Sequence, residues 1–138
     1  MASLIYNSAI DDMARGAIDF DTDTFKAMLV TSTYTPNKDT DLKRSAVTNE
    51  VTGTGYTAGG VASVCTVTKD TANDKVTLSF AAVSWATSTI TARALVIYKS
   101  RGGASSADEL VCYVDFGSNV SSTGGSFSVT SSVISLAN

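Results

Sequence analysis

The chain has 138 residues and a net charge of -3 from ten basic and thirteen acidic side chains. That length suits one domain of roughly 100–150 residues, able to fold around its own core without metals or a disulfide lattice. There is no histidine, which excludes Ser-His-Asp and Cys-His catalytic units and His-based zinc sites.

Residues 4–17 carry a helical pattern. Asn7 or Ser8 is placed to cap, and Asp11 and Asp12 lie in the first turns, where acids suit the helix dipole. Ile10, Met13, Ala14 and Ala17 recur at 3/4 spacing to give one apolar face, and Gly16 is placed to end the helix. An acidic lead, Asp19, Asp21 and Asp23, then runs into a strand predicted over residues 25–33. Pro36-Asn37 turns the chain. Residues 40–47 read as one helical turn or an ordered loop. Residues 50–60 carry Gly53, Gly55, Gly59 and Gly60 around Tyr56 and read as an extended loop or bulged edge strand.

From residue 61 the pattern is β throughout. One strand is expected over 61–69, a turn over 71–74, and a second period-two strand through Val76, Leu78 and Phe80, with Val83 and Trp85 continuing its apolar face. Residues 91–99 are apolar on both faces and read as a central strand. A Gly/Ser-rich loop over 100–108 precedes a two-sided strand over 109–116. A polar loop is expected over 117–125 and a last alternating segment over 126–136. Six or seven strands with short turns and no strand–helix alternation point to an all-β fold: an antiparallel β-sandwich or jelly-roll-like domain with one or two short helices, one near the N-terminus. A single domain over residues 1–138 is expected, with 1–18 as a helical or arm segment.

Charged residues make up only 17% of the chain, against a typical ~25%. Ser, Thr and Ala take their place, and such a surface loses less by desolvation when another subunit covers it. The basic residues are scattered, with Lys43-Arg44 and the Lys99, Arg101 pair the densest. No nucleic-acid partner is expected, because phosphate binding needs them gathered on one face. Cys65 and Cys112 sit in strand-like runs and read as small buried hydrophobes; a bridge between them would require those strands to pair. Residues 1–18 lack a basic start and a continuous apolar core, so no export signal is expected, and synthesis in a reducing cytoplasm follows. No run reaches the ~18 apolar residues of a membrane span, so no membrane partner is expected.

Asp19, Asp21 and Asp23 could converge on Ca²⁺, but the glycine and the twelfth-position glutamate of an EF-hand loop are missing; Val30 stands there. The structural reading is preferred: an extended segment with carboxylates on one side and Phe20 buried on the other. The loop over 53–60 lacks the Gly-Lys-Ser/Thr of a phosphate-binding loop, and its glycines fit a close backbone approach better. Asp23, Glu50, Asp108, Glu109 and Asp115 are available as acid and base, but nothing singles out two of them. No enzyme, cofactor, metal or catalytic residue is therefore expected. Most aromatic residues lie in strands and read as core; Tyr34 and Tyr56 lie in loops, where a ring often anchors a partner.

Residues 6–8 (YNS), 18–36 (IDFDTDTFKAMLVTSTYTP), 49–60 (NEVTGTGYTAGG), 85–94 (WATSTITARA) and 113–117 (YVDFG) together resemble, in collinear order, a family of small virion structural proteins of tailed double-stranded DNA bacteriophages. The resemblance implies a capsid decoration (cement) role on the virion exterior, with the major capsid protein and the chain itself as partners, a homodimer ahead of a homotrimer. It carries over no catalytic residue. The expected contact surfaces are residues 1–18 and 34–60, with Tyr34, Leu42 and Tyr56 as candidate partner contacts. A tail component, either an adaptor or a host- or glycan-binding module, is the alternative.

Overall fold

The computed structural model describes residues 2–138 as an all-β chain with one α-helix and two 3-10 turns, at Arg44–Ala46 and Ser105–Ala107. In order come β1 (Leu4–Ile5), α1 (Asn7–Ala14), β2 (Phe25–Val30), β3 (Val61–Ala62), β4 (Cys65–Asp70), β5 (Lys75–Phe80), β6 (Val83–Lys99), β7 (Leu110–Val129) and β8 (Ser132–Ala137). Five strands form one antiparallel sheet in the order β1-β7-β6-β2-β3, and three form a second in the order β4-β5-β8.

The helix is shorter than the pattern predicts. Leu4 and Ile5 are drawn into the larger sheet opposite Tyr113 and Cys112, where pairing outweighs weak local helix propensity. Neither Asn7 nor Ser8 caps: Tyr6 holds the cap position, and the Asn7 amide donates to Asp39 instead. The C-terminus closes as expected. Gly16 takes φ +79, its N–H reaches the Met13 carbonyl, and the Ala17 N–H reaches the Asp12 carbonyl. That pair of bonds satisfies carbonyls the last turn leaves open.

Period-two alternation gives the larger sheet two buried faces. Phe25, Ala27, Leu29, Leu95 and Ile97 face the smaller sheet, which contributes Cys65, Leu78 and Phe80 to the same cluster. Phe20 stacks on Phe25 at 5.4 Å between ring centres, and Phe80 meets both edge-on. The opposite face carries Met28, Val30, Ala94, Val96 and Tyr98, and packs with Tyr6 and Tyr34. The segment after β2 returns beside it, with Thr31 N–H bonding the Asn49 carbonyl and Val51 N–H bonding the Leu29 carbonyl.

Three predicted boundaries differ. The strand expected over 61–69 breaks at Ser63. Its N–H bonds Phe25 of one sheet while its hydroxyl bonds the Ala81 carbonyl beside the other, so the chain changes sheets there. The loop expected over 117–125 is part of β7, a twenty-residue strand. Its Val120, Ser121 and Ser122 pair with Ala92, Thr91 and Ile90 of β6. Distant pairing overrides the local turn chemistry of Gly, Ser and Thr. β6 likewise runs unbroken through Thr87, at φ +52, because the buried Ser88 hydroxyl ties the bulge to Trp85, Ser122 and Gly125. Among the described residues there are eight strands, and Cys65 and Cys112 are buried free thiols.

Candidate functional site

Of the three residues expected to meet a partner, two are spent inside the fold. Tyr34 is 5% exposed. Its hydroxyl donates to Asp41 at 2.8 Å and lies 2.8 Å from the Tyr6 hydroxyl, and its ring meets Tyr113 edge-on. Because Tyr34 gives its one hydrogen to Asp41, Tyr6 is the donor of the pair. Burial raises both phenols well above their ordinary value. Tyr56 is half-buried: it accepts from the Leu29 N–H, donates to Glu50, and packs its ring on Trp85 at 5.6 Å. The physical reason for both departures is the same. The 31–60 segment is not a projecting loop but folds back on the larger sheet, and its rings fill that contact. Leu42, 51% exposed, is the one of the three that presents its side chain to solvent.

The acidic lead forms a closed turn rather than an extended segment. Asp23 N–H bonds the Asp19 carbonyl, the Asp19 N–H bonds the Asp23 carboxylate, and the Asp21 N–H bonds the Asp19 carboxylate. Phe20 is buried, as the sequence suggests. Among the described residues no group of three His, Cys, Asp or Glu is placed to hold a metal ion.

The five carboxylates that the sequence offers as acid or base each have a partner in the fold. Asp23 pairs with Lys99 at 2.7 Å, and Glu50 accepts from Tyr56 and the Gly59 N–H. Asp108 and Glu109, both 1% exposed, follow each other just before β7, where the Lys99 N–H bonds the Glu109 carbonyl. Asp108 holds Arg44 at 2.8 Å and the Arg101 N–H; Glu109 holds Arg101 at 2.5 Å and Lys43 at 3.5 Å. Arg44 also lies over the Tyr98 ring. Burial pushes the Glu109 carboxyl up, but Arg101 and Lys43 outweigh it and hold it below its ordinary value. Arg93 holds Asp115 far below the usual carboxylate range. Each of these acids has a cation or a fixed group of the chain as its partner, an arrangement that locks the surrounding loops together.

The feature that sequence reasoning missed is an apolar face running from α1 across the smaller sheet. Ile5, Ala9, Ile10, Met13, Phe20, Leu78, Val111, Ile134 and Leu136 line a shallow groove with no polar surface. Adjoining hollows add Val67 and Val76 on one side and Leu4, Cys112 and Val133 on the other. Ile10 at 52% and Val133 at 57% are among the most exposed large apolar side chains of the molecule. The signal is present in part: the sequence pattern of α1 is amphipathic, with Ile10 on its apolar face. That its face and the β8 edge adjoin is a matter of topology. Among the described residues no helix is long and apolar enough to cross a membrane. No family model, curated protein or solved structure matches the chain.

Proposed function

We propose that this chain is a virion structural protein of a tailed double-stranded DNA bacteriophage: a capsid decoration (cement) subunit. It is made in the host cytoplasm and seated on the outer shell, where it bridges neighbouring major capsid protein subunits. The observation that carries this reading is the apolar face over α1 and β8. It sits on a body with buried ion pairs and few surface charges, which a partner covers at low desolvation cost. The collinear family resemblance supplies the setting. The two sheets, sharing one core cluster, are read here as an open β-sandwich, stiff enough to carry load between capsomers. Symmetry repeats each weak contact over the shell, so avidity exceeds a single-site affinity by ~10²–10⁴.

No catalytic role is assigned, because every carboxylate the sequence offers as acid or base is committed to a structural partner. The rival reading, a tail adaptor or glycan-binding module, draws less from this geometry. Sugar recognition stacks on an exposed ring, and the described aromatic residues are buried or half-buried. The test is co-sedimentation with expanded heads that lack the protein, followed by thermal rupture of those heads. Saturable binding and a higher rupture temperature are expected. Binding to purified tails or bare cells, with heads left uncoated, would overturn the proposal.

A further inference from the structure

The four sheet edges are not equally protected. β1 and β3, which end the larger sheet, are two residues long, and β4 carries Lys69 and Asp70. Short edges and edge charges both discourage addition of a foreign strand. β8 has neither device: its six residues, Ser-Val-Ile-Ser-Leu-Ala, include no charge and no proline.

The register fixes which way its backbone groups point. The Asn138 N–H bonds the Asp74 carbonyl at 2.9 Å, and Leu136, Ile134 and Ser132 stand opposite Val76, Leu78 and Phe80. Alternate residues of an antiparallel strand turn N–H and C=O to the same side. Ser132, Ile134 and Leu136 therefore face β5, and Val133, Ser135 and Ala137 turn their N–H and C=O groups away from it. The other edge of β5 agrees, since Ala81 N–H bonds Val64 beside β4. β8 ends its sheet, so these three donors and three acceptors have no ladder partner within the described residues.

We propose that the occupant of this edge is β8 of a second copy, antiparallel about a two-fold axis at Ser135. The outward residues are spaced symmetrically about Ser135, so the edge complements itself. Val133 meets Ala137 of the other copy, Ser135 meets Ser135, and all six outward groups are satisfied together. No like charges meet on the strand. On the core side, Ile134 and Leu136 of each copy meet Leu136 and Ile134 of the other, which covers side chains that line the apolar groove. Two three-stranded sheets become one of six strands. The inference deepens the reading of the chain as an assembly subunit by naming a self-contact, and its test uses no heads, so each can fail without the other.

The experiment is sedimentation of the purified chain and two variants. Ser135→Cys places thiols on an antiparallel pair about 5.5 Å apart at Cα, within the ~4.4–6.8 Å a disulfide spans. The native thiols are buried and do not compete. Mild oxidation should give a linked dimer, while Thr71→Cys, on the exposed hairpin turn, should not. Ser135→Pro removes an outward N–H but none that bonds β5, and its ring blocks a second strand. It should weaken dimerisation by about tenfold or more while the monomer's melting transition holds. Should the proline variant misfold, Ser135→Lys gives the same loss at low salt, partly restored by added salt. A monomeric wild type at micromolar concentration, a Ser135→Cys chain that forms no linked dimer on oxidation, or a Ser135→Pro dimer as tight as wild type overturns the inference.

Discussion

Tyr34→Phe tests the interior more sharply than any surface change. Tyr6 is fully buried, and its hydroxyl donates to Tyr34, which donates in turn to Asp41. Removing the Tyr34 oxygen orphans the Tyr6 hydroxyl, a cost of about 1–3 kcal/mol, toward the upper end because a bond to a carboxylate goes too. Asp41 keeps the Asn37 N–H. Tyr6→Phe removes one donor and leaves Tyr34 bonded to Asp41, which costs about 0.5–1.5 kcal/mol. The double variant leaves no orphan, so it should be less harmful than the sum of the two, a coupling that a double-mutant cycle reads directly. Equilibrium urea unfolding, with the slope unchanged, gives the three values. If Tyr34→Phe is no worse than Tyr6→Phe, the direction of the relay is wrong. If both are silent, Tyr34 is not held inside, and its place as a partner anchor reopens.

Gly60→Ala should cost more than about 3 kcal/mol or prevent folding. Its Cβ would sit 1.8 Å from the Ala27 carbonyl oxygen at φ +77, whereas Gly102→Ala, at φ +80 with open space around it, should cost only about 1–2 kcal/mol in a thermal melt. Asp23, Glu109 and Asp115 titrate below their ordinary values in the fold. Burial raises Asp23 and Glu109 but the Lys99 bond, and Arg101 with Lys43, outweigh it; for Asp115 the Arg93 bond leads. Depressed carboxylates stabilise fully above their unfolded values, 3.8 for aspartate and 4.5 for glutamate, and that stability is lost as pH falls through the folded values. Asp12, raised by burial, opposes this. Unfolding free energy should therefore hold level from pH 4.5 to neutrality and drop below pH 4.5, and a rise on acidification would contradict the ion-pair assignment. Burial pushes the Cys65 thiol up to about 11 and Cys112 up to about 12. Neither should react with a thiol reagent at neutral pH until denaturant is added, as absorbance titration would show.

What the sequence made legible was local. The 71–74 turn between β4 and β5, the Gly16 stop of α1 and the apolar β2 are each decided by neighbours within a few residues. What it hid depends on distant pairing. Residues 117–125 look like a loop because Gly and Ser favour turns, yet hydroxyl pairs such as Thr91 with Ser121, at 2.7 Å, help bind them to β6. Tyr34 and Tyr56 look exposed because their segment is polar, and only its return onto the larger sheet buries them. The Asp108–Glu109 lock drew notice as two available acids, but Arg44 lies 64 residues away from Asp108 in the chain, beyond any spacing rule. The β8 edge was visible as an alternating segment; that it ends a sheet was not.

Copy number in purified virions is the most direct measure of the account. Quantitative mass spectrometry against the major capsid protein should find hundreds of copies in a fixed ratio set by shell symmetry, all lost when heads are stripped and recovered when the purified chain is added back. A handful of copies that travel with detached tails would contradict it.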